Sequence, residues 1–148
     1  YGALFGTHML LTEPGMFQHY ILGSPSLWFG KRTTFEVEAA RAASKKDIPA
    51  RVFMMAGEFE AIKPGSKDPR YAHGEDLVQD MLTFEKQLKA HRYPGLSVQS
   101  RVIAGEDHNT VFPMIATHGL LWALPERSLS PTIFPKPERL LSRLEPAR

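Results

Sequence analysis

The chain has 148 residues, of which 43% are hydrophobic and 23% are charged, the usual balance of a globular domain with a sizeable core. Its formal net charge is only +2 and no run of Lys and Arg exceeds two residues, so the composition argues against a dedicated nucleic-acid-binding protein. It has no cysteine, which excludes disulfides and thiolate metal sites and fits the cytoplasm and the periplasm equally, and no apolar stretch approaches the about 20 residues that span a bilayer.

The first part of the chain alternates between helical and strand patterns. Residues 3–11 are apolar and favour a helix, and residues 20–23 form a short apolar run typical of a buried parallel strand. A second helix is predicted at residues 33–43, with Thr33 or Thr34 as its cap, and a second strand at residues 51–56. The apolar or small positions of the second helix are Phe35, Val37, Ala39, Ala40 and Ala43.

The alternation continues after a polar loop at residues 61–74, whose length is typical of functional or mobile loops. Residues 75–91 give the clearest helical pattern, because apolar residues recur at spacings of four, three and four behind two acidic residues. Residues 96–104 are predicted as a third strand and residues 110–124 as a last helix.

Strands and helices that alternate with short links predict an α/β fold with parallel strands and right-handed crossovers. Three strands are only part of a sheet and leave both edges open, so we expect partner strands from outside the chain and poor folding of residues 1–148 alone. Residues 1–126 are therefore predicted to be half of a larger domain. Residues 127–148 are predicted to be a basic, Pro-rich tail, with one short helix at residues 138–144.

Side chains suited to hydrolysis follow the predicted strands, and chemistry in an open parallel sheet gathers beyond the carboxyl ends of its strands. Glu58 and Glu60 follow the second strand, and His108 follows the third in the turn Gly105-Glu106-Asp107-His108-Asn109. Histidine is the natural base near neutral pH because its unperturbed pKa is about 6.5, and a carboxylate can hold it in one tautomer. At the other end, Tyr1-Gly2 before an apolar helical run looks like the second half of a Gly-x-Ser-x-Gly nucleophile elbow.

Each of these candidates also has a simpler interpretation. A loop histidine is usually solvated, and among the five other histidines His73 in the polar loop is the best rival to His108. Asp107 is predicted to cap the last helix rather than to act as the catalytic acid. Ser24 and Ser26 are interpreted as loop residues. No metal site is predicted, because the chain has no His-x-x-x-His pattern and no pair of cysteines.

Three segments, taken together and in order, carry a resemblance to a known family: Tyr1-Gly2-Ala3-Leu4-Phe5, Ser24-Pro25-Ser26-Leu27-Trp28 and Gly105-Glu106-Asp107-His108-Asn109. Over about residues 1–124 the chain resembles the α/β-hydrolases that include ferric-siderophore esterases, S-formylglutathione hydrolase and feruloyl esterases. It is most similar to the siderophore-esterase-like branch. The resemblance implies the C-terminal half of an α/β-hydrolase fold, with the nucleophilic serine immediately upstream of Tyr1.

The resemblance also implies roles for individual residues. The catalytic histidine of the family falls on His108, and the backbone N–H that helps to bind the oxyanion falls on Tyr1. The acid falls on Glu60, three residues past Gly57, with Glu58 as the alternative. A Ser–His pair that works without an acid is the third interpretation. The family's chemistry needs no metal and no organic cofactor.

The predicted function is that of a serine-dependent carboxylic ester hydrolase acting on a small-molecule ester. Lys63, Lys67 and Arg70 in the polar loop predict a basic rim at the mouth of the site, and Trp28 and Phe29 predict an apolar wall. Arg70, Trp28 and Phe29 are the predicted substrate-binding residues. Such a site suits an anionic, aromatic ester such as a siderophore, although a solvated loop without a role explains the charges equally well. An acyltransferase of the same superfamily and a non-catalytic hydrolase-like binding module are the alternative functions.

Overall fold

The computed structural model describes residues 1–124. The predicted tail at residues 127–148, with its short helix at residues 138–144, lies outside the described residues.

The described part of the chain is built on a sheet of three parallel strands, in the order β1-β2-β3. The strands are β1 (His19–Gly23), β2 (Arg51–Gly57) and β3 (Ser97–Ile103). The predicted α/β class with parallel strands is confirmed. Every residue of β2 after Arg51 is buried, as expected of a central parallel strand that is covered on both faces.

Four helices cover the sheet: α1 (Gly2–Thr12), α2 (Phe29–Ala43), α3 (Leu77–His91) and α4 (Phe112–Ala123). Helices α1, α2 and α3 share the larger core on one face, and α4 packs with a smaller cluster on the other. The larger core includes Leu10, Leu22, Leu27, Ile48, Val52, Met54, Met81, Phe84 and Leu88. The smaller cluster consists of Phe53, Met55, Val111 and Ile115.

Helix α2 differs from its prediction at its start. It begins at Phe29 and passes through a left-handed turn at Gly30, Lys31 and Arg32, whose φ angles are 59°, 57° and 63°. The predicted cap by Thr33 or Thr34 is not formed, since the Thr33 hydroxyl donates instead to the Gly30 carbonyl inside the turn.

The buried residue of α2 is also one that its apolar pattern did not indicate. Glu38 is fully buried, whereas Val37 on the same helix is 37% exposed. The Glu38 carboxylate can be buried because it accepts hydrogen bonds from His91 Nδ1 at 2.8 Å and from the Tyr93 hydroxyl at 2.7 Å. A polar cluster therefore ties α2 to the end of α3, where the sequence predicted only apolar packing.

Helix α3 starts at Leu77 rather than at the predicted residue 75, because Asp76 is its N-cap and accepts the Gln79 N–H at 2.7 Å. None of the helices within residues 1–124 is long and apolar enough to cross a membrane.

Candidate active site

The site begins where β2 ends, at Gly57, and turns into a short 3-10 turn at Glu58–Glu60. The Phe59 N–H of this turn donates to the Glu106 carbonyl at 3.0 Å, so the turn is joined to the loop that carries His108. Gly57 permits this approach, because a Cβ atom at that position would lie 2.4 Å from the Glu106 carbonyl oxygen. Glycine at the end of β2 therefore allows the acid turn and the histidine loop to pack together.

Glu60 and His108 form the central contact of the site. The Glu60 Oε2 atom lies 2.7 Å from Nδ1 of His108. The Glu60 residue is only 4% exposed, whereas the His108 side chain is 65% exposed. A buried carboxylate on Nδ1 fixes the tautomer and the ring orientation, which leaves Nε2 as the nitrogen available to a reacting group.

The second carboxylate oxygen of Glu60 has its own partners. Oε1 accepts the Ser24 hydroxyl at 2.6 Å and the Gly57 N–H at 2.8 Å. The buried charge is thus satisfied by three donors, as burial of a carboxylate requires. The interpretation of Ser24 as a plain loop residue missed this contact. The available signal was its place directly after β1, beside the strand that leads to Glu60.

Glu58 contacts the backbone of the histidine loop rather than the imidazole. Its carboxylate accepts the Gly105 N–H at 3.0 Å and the Tyr71 hydroxyl at 2.9 Å. These hydrogen bonds, from Gly105 first and then from Tyr71, lower the pKa of Glu58 below its ordinary value. The Tyr71 hydroxyl in turn accepts a hydrogen bond from Lys63 at 3.0 Å. Glu58 therefore joins the polar loop to the histidine loop.

Asp107 organises the turn immediately around His108. Its carboxylate accepts the N–H groups of Thr110 at 3.0 Å and of Asn109 at 2.7 Å, and these hydrogen bonds, from Thr110 first, lower its pKa. The backbone then makes one further turn, so that α4 starts at Phe112 rather than at the predicted residue 110. Asp107 thus caps a turn that precedes the helix, and it does not contact the imidazole.

A cleft of about 660 Å³ opens beside His108. Its walls come from the N-cap of α1, the segment after β1, the 3-10 turn, the polar loop, the start of α3 and the histidine loop. It is lined by Tyr1, Ser26, Trp28, Phe59, Glu60, Arg70, Ala72, Glu75, Leu77, Asp107, His108 and Asn109.

Arg70 is the cation of the polar loop that lines this cleft. Its guanidinium lies 3.9 Å from the centre of the Phe59 ring and pairs with Asp68 at 2.6 Å. The pair lowers the pKa of Asp68 to about 2. Lys63, also predicted in a basic rim, is instead bonded to Tyr71. Of the three cations of the predicted rim, Arg70 lines the cleft, and Lys63 and Lys67 are not among its lining residues.

The two predicted aromatic residues of the wall are placed differently. Trp28 lines the cleft, whereas Phe29 lies in a separate groove between α1 and α2. There the Phe29 ring packs edge-on against Tyr1, with ring centres 5.9 Å apart. Phe59, which the sequence did not single out, supplies the second aromatic surface of the cleft.

Tyr1 is the N-cap of α1 and lines the same cleft as His108. Its backbone therefore stands at the positive end of a helix dipole, where an oxyanion is favoured. The rival histidine, His73, is exposed and is not among the cleft residues. His91 pairs with Glu38 on the other side of α3.

A comparison with known protein families finds no match to this chain. Over 128 residues it is 28% identical to the ferri-bacillibactin esterase BesA of Bacillus subtilis, and the match covers 83% of this chain and 40% of BesA. The siderophore hydrolase EstA of Aspergillus nidulans superposes with a TM-score of 0.70 at 20% identity, covering 83% of this chain and 44% of EstA. The chain is similar to siderophore esterases.

Two further solved structures agree in fold with this siderophore-esterase-like chain. The siderophore hydrolase EstB of Aspergillus nidulans gives a TM-score of 0.67 at 24% identity over 85% of this chain and 48% of EstB. The BES protein of Bacillus cereus gives 0.60 at 25% identity over 80% of this chain and 40% of that protein. The predicted α/β-hydrolase fold is thus confirmed, and the chain spans less than half the length of each of these relatives.

Proposed function

We propose that this chain is part of a serine-dependent carboxylic ester hydrolase and supplies the histidine and the acid of its catalytic triad. The observation that carries the proposal is the buried Glu60 carboxylate on Nδ1 of a largely exposed His108, at the carboxyl ends of parallel strands. The likeness to BesA and to the siderophore hydrolases supports the same chemistry. The nucleophilic serine is proposed to precede Tyr1 in the complete protein, in the order serine, acid, histidine that α/β-hydrolases share.

In the proposed reaction, the serine hydroxyl attacks the ester carbonyl while Nε2 of His108 takes its proton. The tetrahedral intermediate collapses, the bond to the alcohol oxygen breaks, and His108 returns the proton to the leaving alcohol. Water then attacks the acyl-enzyme with His108 again as base, which releases the acid and regenerates the serine. Glu60 stabilises the imidazolium form of His108 in both halves of the reaction.

The oxyanion of each tetrahedral intermediate is proposed to accept a hydrogen bond from the backbone N–H of Tyr1. This N–H belongs to the N-cap residue of α1, which itself lines the cleft beside His108. Such a donor typically contributes about 10² to 10³ in rate.

The proposal is tested in the full-length protein expressed from its complete reading frame, with a p-nitrophenyl ester as substrate. H108A should lower kcat by several orders of magnitude in protein that remains folded, since the removed ring is largely exposed and Glu60 keeps the Ser24 and Gly57 donors. H73A is the matched control and should act like wild type. An active H108A variant would refute the assignment, and a wild-type protein without any esterase activity would favour the non-catalytic binding module.

The substrate is proposed to be an anionic ester that carries aromatic groups, such as a siderophore. Trp28 and Phe59 give the cleft aromatic walls, and Arg70 provides a cation held in place by Asp68. The names of BesA, EstA and EstB, a ferri-bacillibactin esterase and two siderophore hydrolases, support this substrate class.

Arg70 provides the test of the substrate class. For an anionic ester, R70Q should lower kcat/KM by up to about fivefold and weaken its decrease with added salt, while a neutral ester is unaffected. K86Q removes an exposed lysine of α3 away from the cleft and should change neither. If added salt changes kcat/KM of the wild-type enzyme equally for the two esters, the siderophore proposal is refuted and a general esterase is indicated.

A further inference from the structure

Ser24 has an unusual position at the end of β1. Its N–H donates to the Met55 carbonyl at 2.7 Å and so extends the β1–β2 pairing by one residue. Its φ angle is +44°, in the left-handed region that favours glycine. Because a glycine would adopt this conformation more easily, the backbone itself does not require a serine here.

The Ser24 side chain has one specific contact. Ser24 is only 7% exposed, and its hydroxyl donates to Oε1 of Glu60 at 2.6 Å. The other donor to Oε1 is the Gly57 N–H, at 2.8 Å. Ser24 and Gly57 come from the ends of neighbouring strands, β1 and β2, so two rigid elements hold the same oxygen.

This arrangement determines how the carboxylate is turned. The terminal torsion of a glutamate is broad, so a carboxylate with a single partner can rotate away from it. With Oε1 held from two sides, Oε2 is directed at Nδ1 of His108, 2.7 Å away. Short hydrogen bonds to an ionised acceptor are among the stronger ones in proteins.

The geometry points to Ser24 as a positioning residue that acts through Glu60. Its hydroxyl fixes the orientation of the Glu60 carboxylate and thereby that of the His108 ring. This inference rests on the proposed function, since a carboxylate needs a fixed orientation for catalysis only if His108 is a base.

If the Ser24 hydroxyl had only a structural role, its removal would have a different result. Its loss would lower stability and leave turnover by the folded enzyme unchanged. The protein contains a matched case, because the Ser100 hydroxyl of β3 donates to Oε2 of Glu85 at 2.5 Å, away from the cleft. S100A therefore removes a serine–glutamate hydrogen bond that has no proposed role in catalysis.

The experiment measures kcat and KM of full-length S24A, S24G and S100A, with active sites counted by a fluorophosphonate probe so that rates refer to folded enzyme. S24A and S24G should each lower kcat about tenfold with KM unchanged, and S100A should not. S24G also removes the backbone strain, so a shared loss of kcat identifies the hydroxyl as the cause. In an E60Q background, S24A should lower kcat by less than a further factor of about two, because both substitutions act through the same carboxylate.

Two results would overturn the inference. One is a kcat of S24A per counted site equal to that of S100A, and the other is a full tenfold loss added by S24A to E60Q. If either result is found and H108A is inactive, only the positioning role of Ser24 is refuted. If H108A keeps its activity, the proposed function itself is refuted.

Discussion

Two glutamates separated by a single residue, Glu58 and Glu60, together fix the position of His108. Glu60 contacts the imidazole at 2.7 Å, and Glu58 accepts the N–H of Gly105, three residues before that histidine. One carboxylate thus holds the ring, and the other holds the loop from which the ring projects.

This division predicts unequal costs of substitution. E60Q should lower kcat by on the order of 10³ to 10⁴, because an amide stabilises the wrong tautomer and cannot balance the imidazolium charge. E58Q should lower kcat less than about tenfold, since the loop loses only part of its anchoring. Steady-state kinetics of the two variants decide the ranking. If both variants are nearly silent, the site is a Ser–His pair and neither glutamate belongs to it.

Glu58 should also contribute to acid sensitivity. Its pKa is lowered in the folded protein, chiefly by the Gly105 N–H and then by the Tyr71 hydroxyl, so the folded state binds its proton less tightly than the unfolded chain does. The stabilisation is present above the ordinary value of 4.5 and is lost as pH falls through the lowered pKa.

Thermal unfolding midpoints measured from neutral pH down to well below 4.5 test this, because the stabilisation is lost as pH falls from that ordinary value through the lowered pKa. The unfolding midpoint of E58Q should fall less steeply with decreasing pH than that of wild type. The midpoint of E36Q, a substitution at an exposed position of α2, should follow the wild-type curve. Parallel curves for E58Q and wild type would exclude a role for Glu58 in the acid limb.

At this scale the sequence indicated where the functional side chains would gather and left their contacts open. Glu58 and Glu60 both follow β2, and only their orientation in the 3-10 turn separates them. Ser24 was missed because its contact with Glu60 joins residues 36 positions apart, which no local pattern encodes.

At the scale of elements, the Glu38 cluster fixes α2 against the end of α3. The Tyr93 hydroxyl donates to the buried Glu38 carboxylate at 2.7 Å, and burial, together with this contact, raises the pKa of Tyr93 well above its ordinary range. Removal of one donor leaves a buried charge with fewer partners, which is costly.

Y93F should therefore lower the free energy of unfolding by about 1–3 kcal/mol without a change in kcat. Y20F provides the control, since the buried Tyr20 hydroxyl has no hydrogen-bond partner within residues 1–124. Urea denaturation of the two variants should separate them clearly. Equal stabilities would mean that the Tyr93 hydroxyl does not support the buried carboxylate.

The elements themselves were well indicated by periodicity where one face is apolar, as in α3, whose predicted and observed ends agree within two residues. Prediction was weaker for α2. Its left-handed turn at residues 30–32 and its buried Glu38 depend on partners far along the chain, and these override local propensity.

At the scale of the whole molecule, much apolar surface remains exposed on and after α4. Phe112 is 69% exposed, Leu121 is 68% exposed and Leu124 is 67% exposed. Within residues 1–124, β1 and β3 each pair with one neighbouring strand only. Open strand edges and exposed apolar side chains favour association.

Residues 1–148 expressed alone should therefore be aggregated or poorly folded, and co-expression with the half-domain proposed to precede Tyr1 should recover soluble material. Size-exclusion chromatography and binding of a hydrophobic dye measure both outcomes. A monomer with a cooperative thermal transition would show that the chain is a self-sufficient domain.

The tip of the polar loop contrasts with its base. Gly65 has a φ of +80°, and nothing lies within 4 Å of where its Cβ would be, while the contacts made by Lys63, Arg70 and Tyr71 are all away from this tip. Lengthening the loop at Gly65 would break the hydrogen bond from the Ser66 N–H to the Lys63 carbonyl (3.1 Å) but would remove none of those side-chain contacts directly, whereas an insertion between Gly57 and Glu60 would shift both carboxylates at once. A short peptide inserted at this tip would thus leave the cleft residues in place, whereas a side chain in place of Gly65 would strain its left-handed backbone.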